Sequence, residues 1–281
     1  YVSTRCRLDI QLTIGFLCTR VKRSTKQDWG KLKRLLQYLN HTIDDSLTIG
    51  AENLTNMNTW IDASYAVHAD MKSHTGGAIS LGRGAAMSKS SKQKLNVKSS
   101  TEAEVVGASD YVPNSIWAGH FLKHQGYPLE KNILHQDNQS AMKMEMNGRR
   151  SCGQKSRHID IRYFFIKDQV DKGEIDIVHC PTEIMVADFF TKPLQGALFR
   201  KLRAVIMGEV DVATFLAMSS GPKERVEKGT PEAPVVFKKG TSEVPIVPYE
   251  QTKYRQTTKQ TTTNKVKKRV SYADMVMRRS E

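Results

Sequence analysis

Over residues 1–50 the apolar positions recur at helical spacing. Arg7–Val21 carries Leu8, Ile10, Leu12, Ile14, Phe16 and Leu17, enough for a packed helix without a single clear phase. Ser24 and Thr25 offer a cap, and Asp28, three positions after Thr25, makes a variant of the capping box. Trp29, Leu32, Leu35, Leu36 and Leu39 then form one apolar stripe, with Lys31, Lys33 and Arg34 opposite. That basic face is either solvated or tracks a phosphate backbone. Leu47 and Ile49 alternate with polar neighbours as a short strand, and Gly50–Asn58 reads as a linker.

From Met57 the period drops to two. A strand around Trp60 and Ile61 ends on Asp62, a carboxylate that is costly to bury alone and that suits either a turn or a cation. Gly77–Leu81 and Ala85–Ser90, separated by Gly82-Arg83-Gly84, read as a hairpin. Ser99-Ser100-Thr101 caps a helix with Glu102 and Glu104 in its first turn and Val105, Val106 and Ala108 inward. Pro113 is expected to break or kink that helix before it resumes at Ile116-Trp117 and runs to about Gln125. Asn132–His135 is a strand leading to Asp137, and Asn138-Gln139-Ser140 opens a helix through Met146. A basic loop at Arg149–Arg157 follows, then a helix over Ile159–Val170 and a strand over Glu174–Cys180. A final helix is expected from Pro181-Thr182-Glu183 through Asp188, continuing past Pro193 towards Val205.

The order β-β-β-α-β-α-α-β-α predicts an α/β domain with a mixed five-stranded sheet, antiparallel first and parallel later, and flanking helices. Its natural site lies at the carboxyl ends of the parallel strands, where Asp62 and Asp137 fall. Periodicity fades after Gly208. Gly221–Glu250 is rich in Pro, Gly, Glu and Lys, and beyond it basic residues crowd a Thr-rich run with too little apolar content to fold alone. The expected organisation is therefore a mainly helical segment over 1–56, the α/β domain over 57–207 and a disordered basic tail over 208–281.

Charge sharpens this picture. Lys and Arg number 43 against 29 Asp and Glu, a net charge of +14 that points to a polyanionic partner. The four cysteines (Cys6, Cys18, Cys152, Cys180) lack C-x-x-C pairing and read as free thiols in a reducing compartment. No apolar run is long enough to span a membrane. The opening YVSTRCRLD has neither a signal peptide's apolar core nor an initiator Met, and reads as a piece of something longer.

The predicted topology can bring four acids together: Asp62, Glu104, Asp137 and Asp188. Four carboxylates repel unless cations neutralise them. Two divalent ions about 4 Å apart would do so and would clamp the attacking and leaving oxygens of a phosphodiester. Oxygen ligands suit Mg²⁺ or Mn²⁺.

HQDNQSAMKM, RHIDIRYFFIKDQV, IVHCPTEIMVADFFTKPL and the earlier SKQKLNVKSSTEAE closely resemble the ribonuclease H region of copia-like retrotransposon polyproteins, over about Trp60–Met207. CRLDIQLTIGFL and DWGKLKRLLQYL resemble the end of the reverse transcriptase that precedes it. The resemblance implies a ribonuclease H-like fold and metal-dependent cleavage of the RNA strand of an RNA–DNA hybrid, leaving a 3′-hydroxyl and a 5′-phosphate. It puts the family's acids on Asp62, Glu104, Asp137 and Asp188, with Glu102 as rival to Glu104. It implies as partners the hybrid and the rest of the polyprotein, reverse transcriptase and integrase, with no membrane. The location implied is a cytoplasmic virus-like particle, with Lys265–Arg269 as a candidate nuclear-import run. Substrate contacts are expected from Lys89, Lys92, Ser100, Asn138, Gln139, Arg157 and His158, with Lys94 and Lys98 as further phosphate candidates. A solvated face accounts equally for the lysines, and capping or packing for His158. His179 reads as structural, and His120 and His124 as surface residues without a third ligand. Asp44-Asp45 lacks the hairpin setting of a polymerase site, so DNA synthesis is not expected of this stretch. Two rivals share the fold: an inactive nucleic-acid-binding module from a degenerate element, and an integrase or transposase with a different acid order.

Overall fold

A computed structural model describes residues 1–51, 54–148 and 157–219, except the side chains at 157–160 and 219. The basic loop at 149–156 and the tail from 220 onward lie outside the described residues. The first three helices are α1 (Val2–Arg5), α2 (Gln11–Arg20) and α3 (Lys26–His41). The α3 cap is a full capping box: Thr25 Oγ1 accepts from the Asp28 N–H and the Asp28 carboxylate accepts from the Thr25 N–H. Next come the strands β1 (Gly50–Ala51), β2 (Asn56–Ser64), β3 (His74–Ser80), β4 (Gly82–Arg83) and β5 (Met87–Lys92). The chain continues with α4 (Ser100–His124), β6 (Lys131–Gln136), α5 (Gln139–Asn147), α6 (Arg157–Asp171) and β7 (Asp176–His179), and ends with α7 (Gly196–Ile206) and α8 (Val212–Ser219).

The fold is α/β: a mixed five-stranded sheet, ordered β5-β3-β2-β6-β7, with flanking helices. β2 pairs antiparallel with β3, and β3 with β5, while β2, β6 and β7 run parallel. β2 is central because both its faces are apolar. Trp60 packs with Leu8, Phe190, Leu202 and Ile206 on one side, and Ile61 with Ile79, Tyr111, Leu134 and Ile166 on the other. No helix among the described residues is long and apolar enough to cross a membrane.

Several elements differ from the sequence expectation. The strands either side of Gly82-Arg83-Gly84 pair antiparallel as expected, but the stretch between them is not a tight turn. β4 pairs with β1, and Gly84, at φ +65, brings its α-carbon so close to the Thr48 carbonyl that no side chain fits. α4 runs unbroken through Pro113, which lies on its exposed face, where water can serve the carbonyl deprived of its N–H partner. The expected last helix is replaced by two 3-10 turns, Thr182–Ile184 and Val186–Phe190, before α7 begins beyond Pro193. Every residue of Val186–Phe190 is buried, so no polar face exists to sustain an amphipathic helix.

Neither expected boundary is a break in packing. The described residues belong to one compact unit, Tyr1–Arg225. Leu8 enters the main core, and Arg7 donates to Asp9 at 2.8 Å and to Thr42 Oγ1 at 2.6 Å. Arg203 on α7 donates to the Tyr38 hydroxyl at 3.0 Å and to Glu209 at 2.6 Å, and also bonds Asp45, tying α3 to the α/β domain. At the other boundary, α8 continues ordered structure past 208 and buries Val212 and Phe215 in the main core. Burial of each such side chain contributes roughly 1.5–3 kcal/mol.

Candidate active site

Asp62 sits on β2 and is only 2% exposed. The β2–β6 register pairs Trp60 with His135, so its continuation brings Asp137, one residue past β6, level with Asp62. Asp188 arrives on the Val186–Phe190 turn, which lies on the sheet over Gly76, the β3 residue opposite Asp62. One carboxylate oxygen from each of Asp62, Asp137 and Asp188 lies within 4.8 Å of the others, and no other such group occurs among the described residues. Lys192 lies between two of these acids, donating to Asp188 at 2.6 Å and to Asp62 at 3.5 Å. Thr191 Oγ1 donates to the other Asp62 oxygen.

Glu104 is not within that close trio, but its buried carboxyl feels both Asp62 and Asp137, and its Oε2 has no hydrogen-bond partner. Glu102 is engaged elsewhere: its carboxylate accepts from the Lys98 N–H at 2.7 Å while Ser99 Oγ accepts from the Glu102 N–H, closing the α4 cap. Of the two glutamates, Glu104 is the one that shares the site's electrostatics.

Burial and like charge dominate those electrostatics. Burial, then Asp62, then Asp137 push Glu104 well above the usual carboxylate range, with a backbone hydrogen bond from Ala63 opposing. Burial and then Asp62 raise Asp188 to about 7 against the pull of Lys192. The same two causes raise Asp137, while Lys192 and His179 oppose them. Burial disfavours the Lys192 ammonium, but Asp62 and Asp188 outweigh it and raise that group.

Among the expected substrate contacts, Asn138 caps α5, accepting from the N–H groups of Ser140 and Ala141 at 3.0 Å each. Gln139 lines a depression with Met142, Lys143, Met146, Asn147 and His179 beside Asp137. His179 is thus exposed at the site's edge rather than part of the core, because β7 is an edge strand. Lys89 and Lys92 lie on β5; Lys92 pairs with Asp70 at 2.6 Å, and Ser100 is exposed at the start of α4. Arg157 and His158 begin α6, but their side chains lie outside the described residues. His120 pairs with Glu174 at 3.1 Å and forms no metal group with His124 among the described residues.

Sequence reasoning did not single out Lys192, Thr191 or Gly76. The acid–base pair Asp188/Lys192 at i, i+4 was a legible signal. Gly76 was not, since its role depends on the turn above it. A Cβ there would lie 2.7 Å from Thr191 Cγ2, 2.8 Å from Phe190 Cβ and 2.9 Å from the Ala187 carbonyl oxygen. Gly76→Ala must therefore lift the turn, and should lower the melting temperature and weaken binding of divalent ions about tenfold. Calorimetric titration with Mn²⁺ checks this, and unchanged binding would contradict it.

No protein-family model matches the chain. It is 30% identical over 207 residues to the retrovirus-related Pol polyprotein from transposon TNT 1-94 of Nicotiana tabacum, covering 73% of this chain and 15% of that protein. It is 31% identical over 196 residues to the retrovirus-related Pol polyprotein from transposon RE2 of Arabidopsis thaliana, covering 69% and 13%. It is 25% identical over 207 residues to the Transposon Ty1-DR5 Gag-Pol polyprotein of Saccharomyces cerevisiae, covering 72% and 12%. The chain thus spans 12–15% of the length of these relatives. Similar solved structures include an RNase H1 isolated from compost by a metagenomic approach, at 14% identity and a TM-score of 0.37 over 48% of this chain and 92% of that one. RNase H1 from Halobacterium salinarum is 14% identical with a TM-score of 0.31, over 47% and 90%.

Proposed function

Because the chain is homologous to one stretch of the Pol polyproteins of copia-type retrotransposons, we propose that it is an endonuclease of the ribonuclease H type. On this reading it hydrolyses the RNA strand of RNA–DNA hybrids and depends on Mg²⁺ or Mn²⁺. The observation that carries the reading is the convergence of Asp62, Asp137 and Asp188 within 4.8 Å, with Glu104 close enough to feel two of them.

The donor set fits hard divalent cations. The three aspartates offer only oxygens, Glu104 Oε2 is buried without a partner, and burial together with repulsion from Asp62 raises Asp137, Asp188 and Glu104. Ions held by Asp62, Glu104, Asp137 and Asp188 would supply Lewis-acid stabilisation of the phosphate oxygens as charge develops there. The chain's own groups do the rest. Lys192 partly neutralises the cluster. The packed Val186–Phe190 turn excludes water from one side of it. Gln139, two residues past Asp137, would face the strand to be cut and Lys89 would offer charge to the backbone phosphates, whereas Asn138 is committed to the α5 cap and Lys92 to Asp70. Recognition of hybrid shape and of the ribose 2′-OH would select RNA in the scissile strand.

The full chain should cut the RNA strand of a labelled hybrid and leave a matched DNA duplex intact, with products ending in 5′-phosphate and 3′-hydroxyl. Binding of hybrid without any cleavage in Mg²⁺ or Mn²⁺ would instead mark a non-catalytic binding module. Asp188 retains its proton below about 7, and a proton competes with a metal ion for the carboxylate. At limiting Mg²⁺ the cleavage rate should therefore climb as the pH rises through 7, and a rate flat from pH 6 to 8 would contradict this.

A further inference from the structure

The turn that carries Asp188 is held on the sheet from the β5 side by one side chain. Ser90 lies in the cross-strand row Asp62–Gly76–Ser90, and its hydroxyl donates to the Phe190 carbonyl at 2.7 Å. A hydroxyl has one proton to give, and a carbonyl can only accept. Ser90 Oγ, 2.8 Å from His74 Nε2, must therefore accept from that nitrogen. This puts a proton on His74 Nε2. In a neutral ring it leaves Nδ1 as an acceptor, and His68 Nε2 lies 3.0 Å from that atom. The string then reads His68 Nε2–H to His74 Nδ1, His74 Nε2–H to Ser90 Oγ, and Ser90 O–H to the Phe190 carbonyl. His74 is 3% exposed, and burial holds its ring well below the ordinary value, at about 4, in keeping with a neutral imidazole.

Two features give this string a site to serve. Phe190 is two residues from Asp188 and Lys192, and the turn between them sits over Gly76, where no side chain holds it from below. From the β2 side its contacts are Thr191 Oγ1 to Asp62 and a long bond, 3.4 Å, from Ser64 Oγ to the Thr191 carbonyl. Ser90, two strands across the sheet from Asp62, thus holds the turn from the side opposite these contacts, and His74 fixes which way its hydroxyl points.

We propose that His74, acting through Ser90, is a positioning residue for the Asp188 turn, and that His68 sets its tautomer. The inference rests on the reading of Asp62, Asp137 and Asp188 as a metal-binding cluster. Neither histidine touches the acids, and neither was read from the sequence as part of the site.

Three measurements on the full chain test it. Long-range ¹H–¹⁵N NMR of the parent protein at neutral pH should show both His74 and His68 protonated on Nε2 and bare on Nδ1. A His74 protonated on Nδ1 alone would overturn the proposal without any variant. Calorimetric titration with Mn²⁺ should show Ser90→Ala and His74→Leu binding more weakly by about tenfold, the usual cost of losing a group that orients a ligand. His74→Gln, which retains an N–H donor towards Ser90, should recover most of that loss. A purely structural role would lower the melting temperature of all three variants without this ordering. Hybrid cleavage by Ser90→Ala should show reduced kcat with KM little changed. Wild-type Mn²⁺ affinity in both variants, with the parent still cutting hybrid, would overturn the positioning role and leave the nuclease reading standing. A parent chain that binds Mn²⁺ but cuts nothing would do the reverse, since the NMR and binding results remain readable.

Discussion

The Asp137→Asn variant is expected to bind RNA–DNA hybrid nearly as well as the parent chain and to cut it slower by about three orders of magnitude. Asp137 is the most accessible of the close trio, so an amide of the same shape disturbs little packing. What it removes is one negative charge and one strong oxygen donor from a cluster where charge is the working quantity. On the proposed reading the phosphate and shape contacts come from other surface residues, so binding measured in Ca²⁺ should change far less than the rate. Without divalent ions the variant should also melt higher than the parent. Burial and Asp62 both disfavour the Asp137 carboxylate, and Asn carries no charge to repel. Parent-like cleavage by this variant would show that Asp137 is not part of the machinery.

The second large effect is on stability and comes from a residue outside the proposed reaction. Glu145 on α5 is fully buried, and neither of its carboxyl oxygens has a hydrogen-bond partner. Burial raises it from its ordinary 4.5 to about 8. Between those values the folded chain keeps the proton and the unfolded chain releases it, so stability falls as pH rises across that window. The slope is roughly 1.4 kcal/mol per pH unit, or a few kcal/mol in total by pH 8. Glu145→Met, of similar length and without charge, should therefore raise the melting temperature at pH 8 by about 5–10 °C. The gain should be much smaller at pH 5, where the acid is neutral in the folded state. Thermal melts of both proteins at the two pH values decide it; a Met variant no more stable than the parent at pH 8 would contradict the account.

The parts of the fold that could be read from sequence were those whose burial leaves a period. β2 announces itself because Trp60 and Ile61 bury opposite faces. The first half of β3 does not, because His74, Thr75, Gly76 and Gly77 are all buried yet polar or small. β5, MSKSSK, is half-buried throughout and lacks an apolar face of its own, so the strand expected over Ala85–Ser90 rested on its hairpin setting beside β3. The short apolar run of α8 reads as the end of order until it is seen to bury Val212 and Phe215. The acids were legible through the motifs around them and their order along the chain. Lys192 and Thr191 were within reach, four and three residues past Asp188. The string from His68 to Phe190 was not, since it joins a loop residue before β3 and residues on β3 and β5 to a turn 100 positions further on from Ser90.

If these acids hold divalent ions that cleave RNA, cutting must depend on the metal and on each carboxylate. The most direct measurement is cleavage of an end-labelled RNA–DNA hybrid by the full chain as Mg²⁺ is raised from zero, with Asp62→Asn alongside. The expected result is no cutting in chelator, saturable cutting of the RNA strand with added Mg²⁺, and no recovery in Asp62→Asn at any Mg²⁺ concentration. Cutting that persists in chelator, or that survives in Asp62→Asn, would contradict it.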